Sequence, residues 1–292
     1  MNTHTPFRAP LAALLLASSA LAAAGGPPIE ERRPLAADGK LSIHNVAGEI
    51  LVRGWDRDEV YLLAQPGDSF ERLEITGDRE HLTIRVRVDD DDDNIDETDL
   101  TLQIPHAAAL SVNAVSGDIE AAGLSGPLDL QTVSGDVELA GESPRLKVHT
   151  VSGDIEVSAP SSDTDLTSVS GDIRARRLNG RLVAETVSGS VDAAVEAAEI
   201  VEAQSVSGDI DLVLELVGNA DVSAQTLSGD VRLHLPLSSS VRAAMKTFSG
   251  DLRTKGFERP GRGETRHRFS VNGGRASVDL NSFSGDVEVI GE

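Results

Sequence analysis

Carboxylates recur at one fixed position of this 292-residue sequence, directly after a Ser-Gly pair. Aspartate beside glycine can accept backbone amide hydrogens of its own turn, whereas a column of such carboxylates could bind calcium between turns. Amide capping is favoured because the Gly-Gly-x-Gly-x-Asp spacing of calcium-binding repeats is lacking; a calcium-binding repeat module is the alternative. The pairs are Gly117 and Asp118, Gly135 and Asp136, Gly153 and Asp154, Gly171 and Asp172, Gly208 and Asp209, Gly229 and Asp230, Gly250 and Asp251, and Gly285 and Asp286.

A second candidate binding site is a stretch rich in basic residues between positions 253 and 268. The whole chain has 26 Lys and Arg against 48 Asp and Glu, a formal net charge of −22. On such an anionic protein the stretch is a candidate anchor for an envelope glycan, a lipid phosphate or the acidic loop of a neighbouring molecule. A hairpin without a partner is the alternative. The basic residues are Arg253, Lys255, Arg259, Arg262, Arg266 and Arg268.

A run of acidic residues over positions 89–97 could also attract calcium, because hard cations bind carboxylate oxygens. The run lacks the spaced Asp-x-Asp-x-Asp-Gly pattern that would fold around one ion. It therefore favours a solvated acidic loop.

The sequence offers little for catalysis. Its seven His residues have no metal-ligand spacing, and it contains neither a phosphate-binding glycine loop nor a Gly-x-Ser-x-Gly elbow. A β-helical polysaccharide lyase or hydrolase needs a groove walled by long loops, which tight repeats do not supply. We therefore expect no enzyme, no cofactor and no metal site, with a glycan-active β-helix enzyme as the weaker alternative. The negative charge and 3% aromatic content exclude nucleic-acid binding.

The elements that position these residues follow from the repeat itself. The corner glycines mostly recur every 18–21 residues, with a ninth corner at Gly189 that reads Ser-Gly-Ser. Apolar residues stand seven, five and two positions before each glycine and two and four positions after it, an alternation typical of β-strands. One unit cannot bury its apolar side, but units stacked ~4.8 Å apart can. We predict an all-β, single-stranded, right-handed β-helix (β-solenoid) with about 18–21 residues per coil.

Three segments are predicted along the chain. Residues 1–24 read as a signal peptide, because Arg8 precedes an apolar run that ends in small residues and is followed by Gly-Gly-Pro-Pro. The apolar run is too short to span a bilayer, and no later stretch is long and apolar enough. Residues 25–110 are expected to form irregular opening β-coils that cap the core, with a separate β-domain as the alternative. Residues 111–292 form the regular Ser-Gly-Asp β-solenoid.

The last coil, residues 284–290, ends two residues before the end of the chain. An uncovered strand edge invites pairing with another chain. We therefore expect this edge to self-associate or to be covered by residues 253–268.

The repeated Thr-Val-Ser-Gly-Asp-Ile/Val corner, the export signal and the closing Asn-Ser-Phe-Ser-Gly-Asp-Val-Glu-Val segment resemble the bacterial "putative adhesin" family of β-strand-repeat proteins of unknown function. The resemblance covers about residues 40–292. It implies a right-handed β-helix outside the cytoplasm, without enzymatic activity or catalytic residues. We therefore predict an exported, periplasmic or extracellular, structural or interaction (adhesin-like) protein. Its expected partner is a protein or an anionic glycan of the cell envelope or surface.

Overall fold

The structure is a computed structural model that describes residues 26–88, 96–261 and 263–292. The predicted signal peptide lies outside these residues. Each regular unit places one strand before and one strand after its corner, because inward apolar residues alternate with outward polar ones. The strands are short in the earlier coils, whereas over residues 173–228 they run unbroken from one corner to the next. In the coil of Gly135, the inward residues Leu128, Leu130, Val137 and Leu139 are all buried. The predicted all-β solenoid is confirmed.

In the opening region, the coil that comes first in the chain lies between two later coils. The coil of β2 and β3 pairs in parallel with β6 and β7 on one side and with β8 and β9 on the other. Antiparallel strands β5 and β4 cover the outer edges of β6 and β7, and β1 pairs with β4. The first nine strands are β1 (Ile29–Pro34), β2 (Lys40–His44), β3 (Ile50–Trp55), β4 (Glu59–Gln65), β5 (Phe70–Gly77), β6 (His81–Val88), β7 (Asp99–Pro105), β8 (Ala109–Asn113) and β9 (Ile119–Ala122).

The regular coils stack in parallel and in register. Val137 lies beside Ile155, and Ile155 lies beside Ile173, so equivalent aliphatic side chains form continuous columns. One buried hydrophobic cluster extends from Leu35 to Val289. The strands are β10 (Leu128–Gln131), β11 (Val137–Ala140), β12 (Leu146–His149), β13 (Ile155–Ser158), β14 (Asp163–Thr167), β15 (Ile173–Ser188), β16 (Val191–Ser207), β17 (Ile210–Ser228) and β18 (Val231–Leu235).

The closing region departs from chain order. Its strands are β19 (Val241–Ser249), β20 (Leu252–Lys255), β21 (Arg266–Val271), β22 (Ala276–Ser284) and β23 (Val287–Gly291). Strand β22 pairs with both β17 and β19, and β23 pairs with both β18 and β20. The last coil therefore lies between the coils of Gly229 and Gly250. The expectation that it exposes an uncovered edge for self-association is wrong, because both of its edges are already paired.

The outermost coil at this end is formed by β19 and β20, and it is covered in part by its own continuation. Strand β21 returns antiparallel along β19, with Val241 opposite Val271 and Lys246 opposite Arg266. Of the stretch 253–268, residues 253–255 lie in β20 and pair with residues 288–290 of the last coil, so the expectation that this stretch covers the last coil is confirmed for these residues. Strand β21 instead covers the edge of β19. Covering a strand edge satisfies its backbone groups and removes a template for aggregation. Among the described residues, no helix has the length and apolar character needed to cross a membrane.

Replacing Ile155 tests the inward register. Ile155 is fully buried between Val137 and Ile173, so Ile155→Ala should lower the free energy of unfolding by about 2–5 kcal/mol. The adjacent Glu156 is exposed, and Glu156→Ala should change that free energy by about 0.5 kcal/mol or less. Chemical denaturation measures both variants, and equal losses would contradict the register.

Candidate interaction surface

The corner glycines are required because successive coils approach too closely for a side chain. A Cβ on Gly153 would lie 2.0 Å from the carbonyl oxygen of Gly135, and a Cβ on Gly171 would lie 1.9 Å from that of Gly153. The same contact links Gly285 to Gly229 and Gly250 to Gly285. The glycines therefore form a column in which each backbone carbonyl occupies the space of its neighbour's missing side chain.

The aspartate column is bonded from coil to coil. The backbone N–H of Asp154 donates to Oδ1 of Asp136 at 2.7 Å, and the N–H of Asp172 donates to Oδ1 of Asp154 at 2.8 Å. Ser190 continues the series, and its Oγ accepts the N–H of Asp209 at 3.4 Å. The sequence predicted that each carboxylate would accept amides of its own corner. That prediction is wrong about the donor: the amide that each carboxylate accepts belongs to the next coil, which the stacking brings within reach.

Three arginines reduce the repulsion between stacked carboxylates. Each stands three residues after a corner glycine and bridges two successive aspartates. Arg174 lies 3.1 Å from Asp154 and 2.8 Å from Asp172. These two bonds hold the pKa of Arg174 above its ordinary value, with the hydrogen bond to Asp154 as the largest cause. The other bridges join Arg232 to Asp209 and Asp230, and Arg253 to Asp251 and Asp286.

A second polar column, which sequence reasoning missed, lies inside the corner. Except at Gly117, where Ala114 takes this place, the residue three positions before each corner glycine is a buried Thr or Ser. Its hydroxyl donates to the glycine carbonyl of the adjacent coil. Thr150 Oγ1 donates to Gly135 O at 3.3 Å, and Thr247 Oγ1 donates to Gly285 O at 2.8 Å. The recurrence of Thr or Ser at this position was the available signal. The remaining donors are Thr132, Ser168, Thr186, Ser205, Thr226 and Ser282.

The apolar residue two positions before each glycine points outward. The sequence pattern grouped it with the core positions, but strand alternation from the positions seven and five before glycine places the Thr or Ser inside and this residue outside. These side chains form one column, the corner ladder, and are 42% to 71% exposed. At ~4.8 Å per coil the corner ladder extends for about 40 Å. In spatial order it comprises Val115, Val133, Val151, Val169, Val187, Val206, Leu227, Phe283 and Phe248.

The corner ladder ends in an aromatic pair beside basic side chains. The rings of Phe248 and Phe283 stack with centroids 4.8 Å apart and planes inclined by 7°. Both rings line an open cleft of about 510 Å³ with Lys246 and Arg266. We call the surrounding surface the end face, and define it as Arg242, Lys246, Phe248, Arg266, Arg268 and Phe283. Residues opposite each other on antiparallel strands share a face, so the register of Lys246 with Arg266 and of Ala244 with Arg268 places these cations together.

The predicted cationic stretch is thereby divided. Arg253 belongs to the aspartate column through Asp251 and Asp286, so its guanidinium is already engaged within the protein. Arg266 and Arg268 are exposed on β21, and they are joined by Arg242 and Lys246, which sequence reasoning missed because they precede the insertion. Lys255 and Arg259 are exposed outside the end face. Arg262 lies outside the described residues.

Across residues 26–88, 96–261 and 263–292, no three His, Asp or Glu side chains converge to hold one ion. Residues 89–95 of the acidic run lie outside the described range. The calcium alternative therefore stays a hypothesis.

The chain belongs to the Toastrack DUF4097 family, which matches residues 36–176 and 128–218. This match confirms the predicted resemblance to a family of β-strand-repeat proteins of unknown function. No curated protein matches the sequence.

The similar solved structures come from several bacteria. A "putative adhesin" from Bacteroides fragilis has a TM-score of 0.48 at 13% identity, covering 90% of this chain and 97% of that one. A "putative adhesin" from Parabacteroides merdae has a TM-score of 0.36 at 11% identity, covering 91% and 97%. A "putative cell adhesion protein" from Clostridium sporogenes has a TM-score of 0.28 at 11% identity, covering 91% and 100%.

Two threonine variants separate the buried hydroxyl column from simple core packing. Thr150→Val removes the donor to the Gly135 carbonyl and should lower the free energy of unfolding by about 1–3 kcal/mol. Thr164 is also fully buried, but its hydroxyl has no partner among the described residues. Thr164→Val should therefore raise that free energy by about 1 kcal/mol. Chemical denaturation measures both, and destabilisation of both by the same amount would contradict this role.

The aspartate column also predicts acid sensitivity. The Asp251 N–H bonded to Asp286, assisted by Arg253, holds the Asp286 pKa below its ordinary value of 3.8. A carboxyl with a lowered folded pKa stabilises the fold above its unfolded pKa and loses this contribution as pH falls through the folded pKa. Thermal melting should show that Asp286→Asn loses stability less steeply below about pH 4 than the unsubstituted protein. Equal acid slopes would contradict the prediction.

Proposed function

We propose that this protein is an exported, non-enzymatic interaction protein of the bacterial cell envelope, periplasmic or extracellular. The single observation that carries the proposal is the corner ladder, a continuous row of exposed apolar side chains, one from each of nine stacked corners. Contiguous exposed apolar surface on a soluble protein is typical of a binding site. The amino-terminal apolar run supports export, and the adhesin names of similar structures agree with a role in contact.

The partner is a protein or an anionic glycan of the envelope. The ladder spacing of ~4.8 Å suits an extended partner that contacts several coils. Each valine buried against a partner would contribute roughly 1 kcal/mol, so affinity accumulates along the row. No cofactor is needed for such binding.

Polar substitution in two adjacent coils tests this function. Val133→Ser combined with Val151→Ser should weaken binding to isolated cell envelopes about tenfold or more, because both exposed apolar contacts are lost. Melting temperature should change little, since the two side chains are 45% and 44% exposed. Sedimentation of the purified protein with isolated envelopes measures the binding.

The matched control replaces exposed carboxylates in the same coils, Glu138→Ser with Glu156→Ser. It should leave envelope binding unchanged. Equal weakening by both pairs, or undiminished binding by the valine pair, would exclude the corner ladder as the contact surface. Release of sugar from acidic envelope polysaccharide by the purified protein would instead establish an enzyme.

A further inference from the structure

We propose that the end face docks on an anionic phospholipid surface. Its basic side chains would lie against the lipid phosphates, and the Phe248 and Phe283 rings would enter the boundary between headgroups and acyl chains. The biological setting rests on the proposed envelope function, but the physical interaction is a property of the purified protein.

Charge segregation along the chain is the first argument. Residues 241–275 carry nine Lys or Arg and three Asp or Glu, a net charge of +6, whereas the rest of the chain carries −28. This segment forms the outermost strands β19, β20 and β21, so the positive charge is concentrated at one end of a long anionic stack. An anionic surface would attract this end and repel the remainder, which fixes the orientation of approach.

The availability of the cations is the second argument. Within the part of the chain that the structure describes, no carboxylate forms a salt bridge with Arg242, Lys246, Arg266 or Arg268, whereas Arg253 is paired twice. One exposed acidic residue, Asp279, lies nearby on the adjacent strand β22 and opposite Ala244, but it forms no salt bridge with any of the four cations. The cations of the end face therefore present their charge outward.

The chemistry of the aromatic pair is the third argument, and it favours lipid over an acidic glycan. Phe248 is 71% exposed and Phe283 is 53% exposed, and neither ring has a polar group to bond sugar hydroxyls. The ladder residue in the next coil is the aliphatic Leu227, 54% exposed, which offers no aromatic face for a further sugar ring. Apolar tips flanked by Lys and Arg are the composition of membrane-surface segments.

The test measures sedimentation of the full-length protein with vesicles of equal parts phosphatidylglycerol and phosphatidylcholine. The amino-terminal apolar run is the same in every variant, so differences between variants report the end face. Each Lys or Arg near an anionic surface strengthens binding about fivefold. Lys246→Glu with Arg266→Glu and Arg268→Glu should therefore weaken binding about a hundredfold or more. Phe248→Ser with Phe283→Ser should weaken it about tenfold and leave the remaining binding more sensitive to salt.

The matched control reverses three exposed cations of the opening region, Lys40→Glu, Arg57→Glu and Arg79→Glu. It makes the same change in net charge and should retain most of the binding.

The end-face variants must keep the melting temperature of the unsubstituted protein. Equal loss in the control, or equal binding to pure phosphatidylcholine vesicles, would overturn the proposal. Binding to polygalacturonate but not to vesicles would assign the end face to an acidic glycan. The two proposals are separable, because the Val133→Ser and Val151→Ser variant should lose binding to envelopes and keep binding to vesicles. That result would support the lipid-binding end face independently of the corner ladder.

Discussion

The remaining organisation of this protein depends on the close approach of successive backbones at the corner. The carbonyl oxygen of one corner glycine lies where its neighbour's Cβ would be, only 2.0 Å from that position for Gly153. The contact fixes how each coil sits on the next. Once that register is set, the Thr and Ser hydroxyls reach the glycine carbonyls, and the Asp carboxylates reach amides of the adjacent coil. The aliphatic columns are aligned by the same stacking.

Stacking identical corners also stacks identical charges. Carboxylates ~4.8 Å apart repel by about 1 kcal/mol even in water. Two interactions offset this cost: the amide that the next coil donates to the Oδ1 of every column aspartate except Asp251 in the outermost coil, and the arginine bridges that span pairs of aspartates. Surface ion pairs contribute little singly, but Arg174, Arg232 and Arg253 each contact two carboxylates. The aspartates are therefore part of the scaffold.

The two ends of the solenoid follow a common plan. The first and last coils of the described chain are both interior. The outermost coils are formed by β6 and β7 at the opening end and by β19 and β20 at the closing end. Antiparallel strands cover their outer edges: β5 covers β6, β4 covers β7, and β21 covers β19. At the closing end this hairpin brings Arg266 and Arg268 beside Lys246. The covering of an edge thus also creates a local surface of opposite charge to the rest of the protein. Strand β21 therefore both covers the edge of β19 and supplies basic side chains to the candidate binding surface.

The sequence by itself determined the repeat, the all-β solenoid, and the inward positions seven and five before and two and four after each glycine, because these depend on local alternation and on the recurrence of one corner. It did not determine that Val133 and its equivalents face outward, because two signals conflict there: alternation from the positions seven and five before glycine favours the outer side, whereas the apolar side chain favours the core. Tertiary structure alone decided that the Asp136 acceptor takes an amide from the next coil, and that Arg253 joins the aspartate column. It also decided that the last coil lies between two earlier ones. These features depend on which strands pair, and pairing is set by competition among distant edges with the same local pattern.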